Sequence, residues 1–230
     1  LDYIDSVWYE RGLFEIVDES YNSKKVKLLS PIYSDEWGAT MSTNKIQSLK
    51  DFKGVKIRSF GIAAEIWKMN GAGIVTLPGE ELYTGLSTGV LNAVNWGSPY
   101  GMMASKLHEV AKYYCGPSLI QYDAEDMFMN MEAFEALPEN LREVVQIAAR
   151  IFAFERATTS TMSSYEAVGK MKEAGVTFSE LPKEEVKQMR KLTDELIQEK
   201  AKVDAFSAEV IKTVLGTAKI IDLRPRKTRA

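Results

Sequence analysis

Apolar positions along the first half of the chain switch repeatedly between a helical three-and-four spacing and short runs bounded by glycine or proline. Ile4, Val7, Trp8, Gly12, Leu13, Ile16 and Val17 fall on one helical face, so residues 3–19 are predicted to form a docked amphipathic helix. Residues 25–30 read as a strand ending at Pro31, and 33–44 as a loop punctuated by Ser34, Asp35 and Gly38 that puts Trp37 in a mobile or cleft-lining position. A one-turn helix over 48–54, closed by Gly54, leads into a strand at 55–60. Helix 61–69, strand 73–77, helix 80–87 and strand 90–96 follow, the last stopped by Gly97-Ser98-Pro99. This alternation is the spacing of right-handed βαβ units and predicts a largely parallel sheet. Residues 110–114 and 127–131 read as further strands, separated by a break at Gly116-Pro117.

After Leu137-Pro138 the period becomes helical and stays so. Apolar side chains recur at Leu141, Val145, Ala148 and Phe152, then at Met162, Tyr165, Val168 and Met171, and neither proline nor glycine interrupts 139–168. Such a helix reaches on the order of 45 Å, more than the width of one small lobe, so it is predicted to bend or to bridge two lobes. A short strand at 175–178, a charged helix from Leu181-Pro182 to about Lys200 and a last helix over 203–215 complete the pattern.

Charge and cysteine content narrow the function classes. With 29 basic and 32 acidic side chains, the net charge of −3 offers no field for nucleic acid or an anionic membrane. The basic residues Arg224, Arg226, Lys227 and Arg229 read as a solvated, frayed end. A single cysteine, Cys115, excludes an internal disulfide, and with a single histidine, His108, it leaves no structural zinc cluster. Cys115 reads as buried and inert, and His108 as a residue of a helix surface. The chain opens at Leu1 without a methionine or a signal-peptide pattern, which reads as a processed product or a fragment. No phosphate loop or dinucleotide fingerprint is present. Glu80 and Glu81 read as helix-start charge, whereas Asp123, Glu125 and Asp126 are read on a loop, where a metal role stays open.

What remains is a set of groups at predicted strand ends: Arg58, then Asn95 with Trp96, then the 118–126 loop. In an open α/β sheet these ends face one crevice. The planar guanidinium of Arg58 can hold a carboxylate bidentately, Trp96 supplies an apolar wall with one donor, and Asn95, Gln121 or Asp123 the other hydrogen bonds. Together they describe a pocket for a small anion without a catalytic base. Residue type alone also allows Arg58 to be a surface arginine and Trp96 a core residue.

Five stretches in order resemble the solute-binding proteins of tripartite ATP-independent periplasmic (TRAP) transporters, the DctP-like family. They are 49–58 (LKDFKGVKIR), 77–83 (LPGEELY), 89–96 (GVLNAVNW), 109–114 (EVAKYY) and 131–138 (MEAFEALP). The run 95–100 (NWGSPY) looks like the branch that binds 2-oxo and 2-hydroxy monocarboxylates. The resemblance implies an α/β, two-lobed periplasmic-binding-protein-like fold with a long bridging hinge helix and an N-terminally incomplete first lobe. Residues 1–35 and 124–163 would belong to the first lobe, and 36–123 and 164–230 to the second.

By the same resemblance Arg58 grips the ligand carboxylate, Trp96 is the pocket tryptophan, and Trp37 takes a contacting position that relatives fill with a polar residue. The implied role is extracytoplasmic capture of a small organic acid and delivery to a membrane permease, without catalysis; a homodimer is compatible with it. A sodium or calcium ion bridging the ligand would meet Asn95, Trp96 and Asp123. The cation-binding branch, however, has glutamate where this chain has Asn95, and an uncharged amide weakens a hard-cation site. Two other classes compete: a structural or oligomerising relative without ligand, and an enzyme acting on small carboxylates.

Overall fold

The computed structural model describes residues 2–34, 39–118 and 123–222. Trp37, Gln121 and the basic residues of 224–229 lie outside them. In chain order the elements are α1 (Asp2–Asp5), a π-turn (Ser6–Glu10), α2 (Leu13–Asn22), β1 (Val26–Ser34), β2 (Thr40–Ser42), a 3-10 turn (Leu49–Phe52), β3 (Lys56–Arg58), α3 (Gly61–Met69) and β4 (Gly73–Val75). A 3-10 turn (Gly79–Glu81), α4 (Leu82–Ser87), β5 (Ala93–Asn95), α5 (Pro99–Ala104), α6 (Leu107–Val110), β6 (Tyr113–Gly116) and β7 (Asp123–Asn130) follow. The chain continues through α7 (Met131–Glu135), α8 (Glu139–Glu173), β8 (Thr177–Glu180), α9 (Lys183–Lys200) and α10 (Ala205–Asp222).

These elements form two compact units. The first holds 1–32, 124–155 and 197–230, the second 33–123 and 156–196. The chain passes from one to the other inside α8 and returns inside α9. The C-terminal stretch differs from the sequence reading, which puts all of 164–230 in the second unit. Helix α10 packs on α2 and so belongs to the first.

In the first unit, Gly12 at φ 80° breaks the predicted N-terminal helix into two, because this left-handed conformation ends one helix and caps the next. Strand β1 runs through Pro31 instead of stopping there. It pairs only with β7 in a two-stranded sheet, where each strand keeps an edge that tolerates the missing N–H.

The second unit is built on a six-stranded sheet of order β4-β3-β5-β2-β6-β8. β3 is parallel to β4 and to β5, and β6 is parallel to β8. The sheet is mixed and not simply parallel, because β2 runs antiparallel between β5 and β6. That strand lies in a stretch read as loop: Thr40-Met41-Ser42 is too short and polar to signal a strand, and its neighbours bury it on both faces. Side chains alternate between two cores. Met41, Val94 and Tyr114 face one, with Leu82, Leu86 and Met102; Ile57, Ala93 and Cys115 face the other, with Phe52, Ile66 and Trp67. The turn before β3 is fixed by a reciprocal capping box of Ser48 and Asp51, and Glu185 of α9 accepts from the Leu49 N–H at 2.6 Å.

Helix α8 is 35 residues long, as its unbroken pattern predicts, but of the apolar positions counted in that pattern Met171 is buried and several others are not. Ala149, Ala153, Ala157, Ser160, Ser164, Ala167 and Met171 are buried, whereas Leu141, Phe152, Met162 and Tyr165 are exposed. The buried stripe is thus mostly alanine and serine, a pattern that a count of large apolar residues does not pick out. His108 is buried in α6 and not on a helix surface, and its Nδ1 has no hydrogen-bond partner among the described residues. No helix of the described residues is long and apolar enough to cross a membrane.

Cys115 is buried in the second core, and burial pushes its thiol up to about 11. Ellman's reagent at pH 8 is therefore expected to react at least about 100-fold more slowly with native protein than with protein unfolded in guanidinium. Equal rates would place this thiol at the surface.

Candidate functional site

Strand parity in the second unit sorts the predicted residues into two groups. The register sets Ile57 beside Ala93 and Arg58 beside Val94, so β3 and β5 end together at the same carboxyl edge. Successive side chains point to opposite faces. Arg58, Phe60 and Trp96 therefore share one face, while Ser59 and Asn95 share the other.

The contacts follow this division. The guanidinium carbon of Arg58 lies 4.6 Å from the Trp96 ring centroid and 5.0 Å from that of Phe60, both within cation–π range. Its Nε donates to the Leu77 carbonyl at 3.1 Å, just past the end of β4. Its Nη1 is buried and has no hydrogen-bond partner among the described residues. Burial also pulls the guanidinium below its ordinary pKa, yet an arginine keeps its charge at physiological pH. The result is a fixed cation with a donor still to be satisfied.

Trp96 is partly exposed and lines a cleft of about 440 Å³ with Gly79, Glu80, Tyr83 and Ser105. Tyr83 is held at this wall by a hydrogen bond from its hydroxyl to Glu109 at 3.1 Å, which raises the phenol pKa. Phe60 is 55% exposed, so the guanidinium sits under an aromatic surface that is open to solution.

Asn95 is 2% exposed. Its amide oxygen accepts from the Ser59 hydroxyl at 3.4 Å and its amide nitrogen donates to the Ala39 carbonyl at 3.5 Å. The structure thus brings Arg58 and Trp96 together and sets Asn95 on the other face, tying the strand ends to the segment before β2. Asp123 begins β7 and not a loop. Among the described residues no group of three His, Cys, Asp or Glu side chains could hold a metal, and Asn95 offers a single, already engaged oxygen. This donor set does not fit a cation site by itself.

Phe60, Ser59, the Leu77 carbonyl and Gly79 escape the sequence reading. Phe60 and Ser59 had a signal, since period two from Arg58 and Ile57 puts them on the two faces in question. The Leu77 carbonyl had none, because main-chain acceptors carry no residue signature. Ser98 and Pro99 were also informative: they cap and begin α5, with Ser98 Oγ accepting from the Gly101 N–H, and do more than end a strand.

Residues 4–203 match the family described as bacterial extracellular solute-binding protein, family 7, DctP. A curated relative, the monocarboxylate 2-oxoacid-binding periplasmic protein of Nostoc sp., is 25% identical over 178 residues; the match covers 72% of this chain and 46% of that protein's length. The fold is similar to a crystal structure of a TRAP periplasmic solute-binding protein from Chromohalobacter salexigens with bound (S)-(+)-2-amino-1-propanol. That likeness has a TM-score of 0.88 at 23% identity and covers 98% of this chain and 70% of the other. It is similar as well to one from Colwellia psychrerythraea with bound calcium and pyruvate, with a TM-score of 0.87, 24% identity and coverage of 96% and 68%.

An unsatisfied buried donor costs about 1–3 kcal/mol, which opposes the loss of the Nε–Leu77 bond when the side chain is replaced. Arg58→Met is therefore expected to leave stability unchanged or raised by up to about 1 kcal/mol in urea melts. A loss above about 2 kcal/mol would mean that Arg58 is a structural residue.

Proposed function

The chain belongs to family 7 of the bacterial extracellular solute-binding proteins, DctP, and from that membership we propose that it captures a small organic acid anion, a 2-oxo or 2-hydroxy carboxylate, at Arg58. The observation that carries this reading is the buried, unpartnered Nη1 of a guanidinium already oriented by Leu77 and two aromatic rings. A carboxylate would accept from that nitrogen and complete the planar fork. The rings exclude water from one side and so strengthen the attraction, while their exposed edges offer an apolar wall to the acid's carbon chain.

Trp37, Gln121 and Asp123 complete this proposal as further contacts, and Asn95 acts from the opposite face by holding Ser59 and the strand ends. Two similar proteins support a carboxylate: the Nostoc relative is a monocarboxylate 2-oxoacid-binding protein, and the Colwellia structure holds calcium and pyruvate, whereas the Chromohalobacter structure holds an amino alcohol. A sodium or calcium ion bridging the acid is part of this reading, since similar structures hold calcium or sodium together with pyruvate.

Capture without chemistry is the role that membership of a solute-binding family supports. The loaded protein would hand its acid to a TRAP membrane permease outside the cytoplasm.

A thermal-shift series of pyruvate, other 2-oxo and 2-hydroxy acids and dicarboxylates, with and without calcium or sodium, tests this. A ligand at 100 times its dissociation constant adds about 2.7 kcal/mol of stability. Arg58→Ala is expected to weaken the best acid by at least about 100-fold while the melt stays cooperative. Unchanged affinity would sink the assignment, and silence towards every acid would favour a structural relative.

A further inference from the structure

Gly79 follows Leu77 by two residues, so one short segment touches the site twice. Leu77 fixes the guanidinium through its carbonyl, and Gly79 lies against the far edge of the Trp96 indole. A Cβ at position 79 would stand 2.7 Å from Cη2 and 3.0 Å from Cζ2 of that ring, with Cζ3 at 3.5 Å. The first of these is closer than real Cβ atoms come, so the methyl of an alanine and the present position of the indole are mutually exclusive. The backbone does not itself call for glycine, because φ at 79 lies outside the positive region that side chains avoid. Room for the indole is what the residue supplies.

We propose that Gly79 is a positioning residue for the carboxylate site: its missing side chain seats the Trp96 indole on the Arg58 guanidinium. The inference rests on the reading of Arg58 and Trp96 as the ligand site. With alanine at 79, the ring must slide off the guanidinium or swing into the adjoining cleft, which has the volume to receive it. Water then reaches a cation that is now shielded on that side, and the arginine loses both its orientation and the low-dielectric setting that makes it bind a carboxylate strongly.

The test is a double-mutant cycle on the purified protein, with Gly79→Ala, Trp96→Phe and both together, read by pyruvate affinity and by the indole N–H resonances of ¹⁵N-labelled protein. Trp96→Phe identifies the Trp96 peak and removes the ring atoms that crowd position 79. Gly79→Ala is expected to shift the Trp96 indole resonance more than those of the other tryptophans and to weaken pyruvate binding about tenfold, between the scales of an exposed and a desolvated cation–π contact. In the Trp96→Phe background the same substitution is expected to cost less than about twofold. An unmoved Trp96 resonance, or an equal loss in both backgrounds, would overturn the proposal. Should Gly79→Ala not melt cooperatively, a folded double variant sustains the crowding argument and an unfolded one overturns it. If wild-type protein does not bind pyruvate, the carboxylate reading fails for that acid, while the resonance in ligand-free protein still judges the seat on its own.

Discussion

A charged guanidinium held against two aromatic rings, short of one hydrogen bond, is the constraint on which the site of the second unit depends. A cation in that position costs desolvation, and the parallel arrangement of β4, β3 and β5 makes it bearable. The three strands end together, so a side chain from β3, a ring after β5 and a carbonyl after β4 converge without a long loop. The cation–π contacts offset part of the desolvation, and Leu77 satisfies one N–H. What is left over is a directed, partly dry donor, which is a sound basis for recognising an anion and a poor basis for stability.

The opposite face of the same strand ends carries the support. Asn95 is fully engaged, with Ser59 on one side and the Ala39 carbonyl on the other. It thereby ties β3 and β5 to the antiparallel strand β2, which separates the parallel triplet from β6 and β8. A charged residue at 95 would meet a buried environment, whereas an amide is neutral and satisfies both neighbours. The asparagine suits a structural tie better than it suits a metal ligand.

Much of the organisation was legible beforehand. The alternation from 55 to 96, the bounds of α3, the capped turn at 48–52 and the uninterrupted helix after Pro138 follow from local propensity, capping and period, which act over a few residues. Arg58 and Trp96 stood out because strand ends in α/β sheets face a crevice. The missed features each depend on partners distant in sequence. Strand β2 is three residues long and exists because β5 and β6 flank it. Which face of α8 is buried depends on the elements it meets: Met171 of the periodic stripe is buried, while Leu141, Phe152, Met162 and Tyr165 are exposed and a run of alanine and serine is covered. Pro31 stays in a strand because its sheet has only two members.

The sequence by itself determined the family, the α/β class and two residues of the candidate site that the structure brings together, because these rest on residue identity, motif order and local period. Tertiary structure alone decided which face each residue serves. Parity and register across β3 and β5 put Arg58 with Phe60 and Trp96 and turned Asn95 away, and packing put α10 with the first unit. It also gave Gly79 its role, since a missing side chain becomes a seat only when a ring from 17 residues further along the chain comes to rest in the space. Such contacts are set by distances between elements, and no window of the sequence contains those distances.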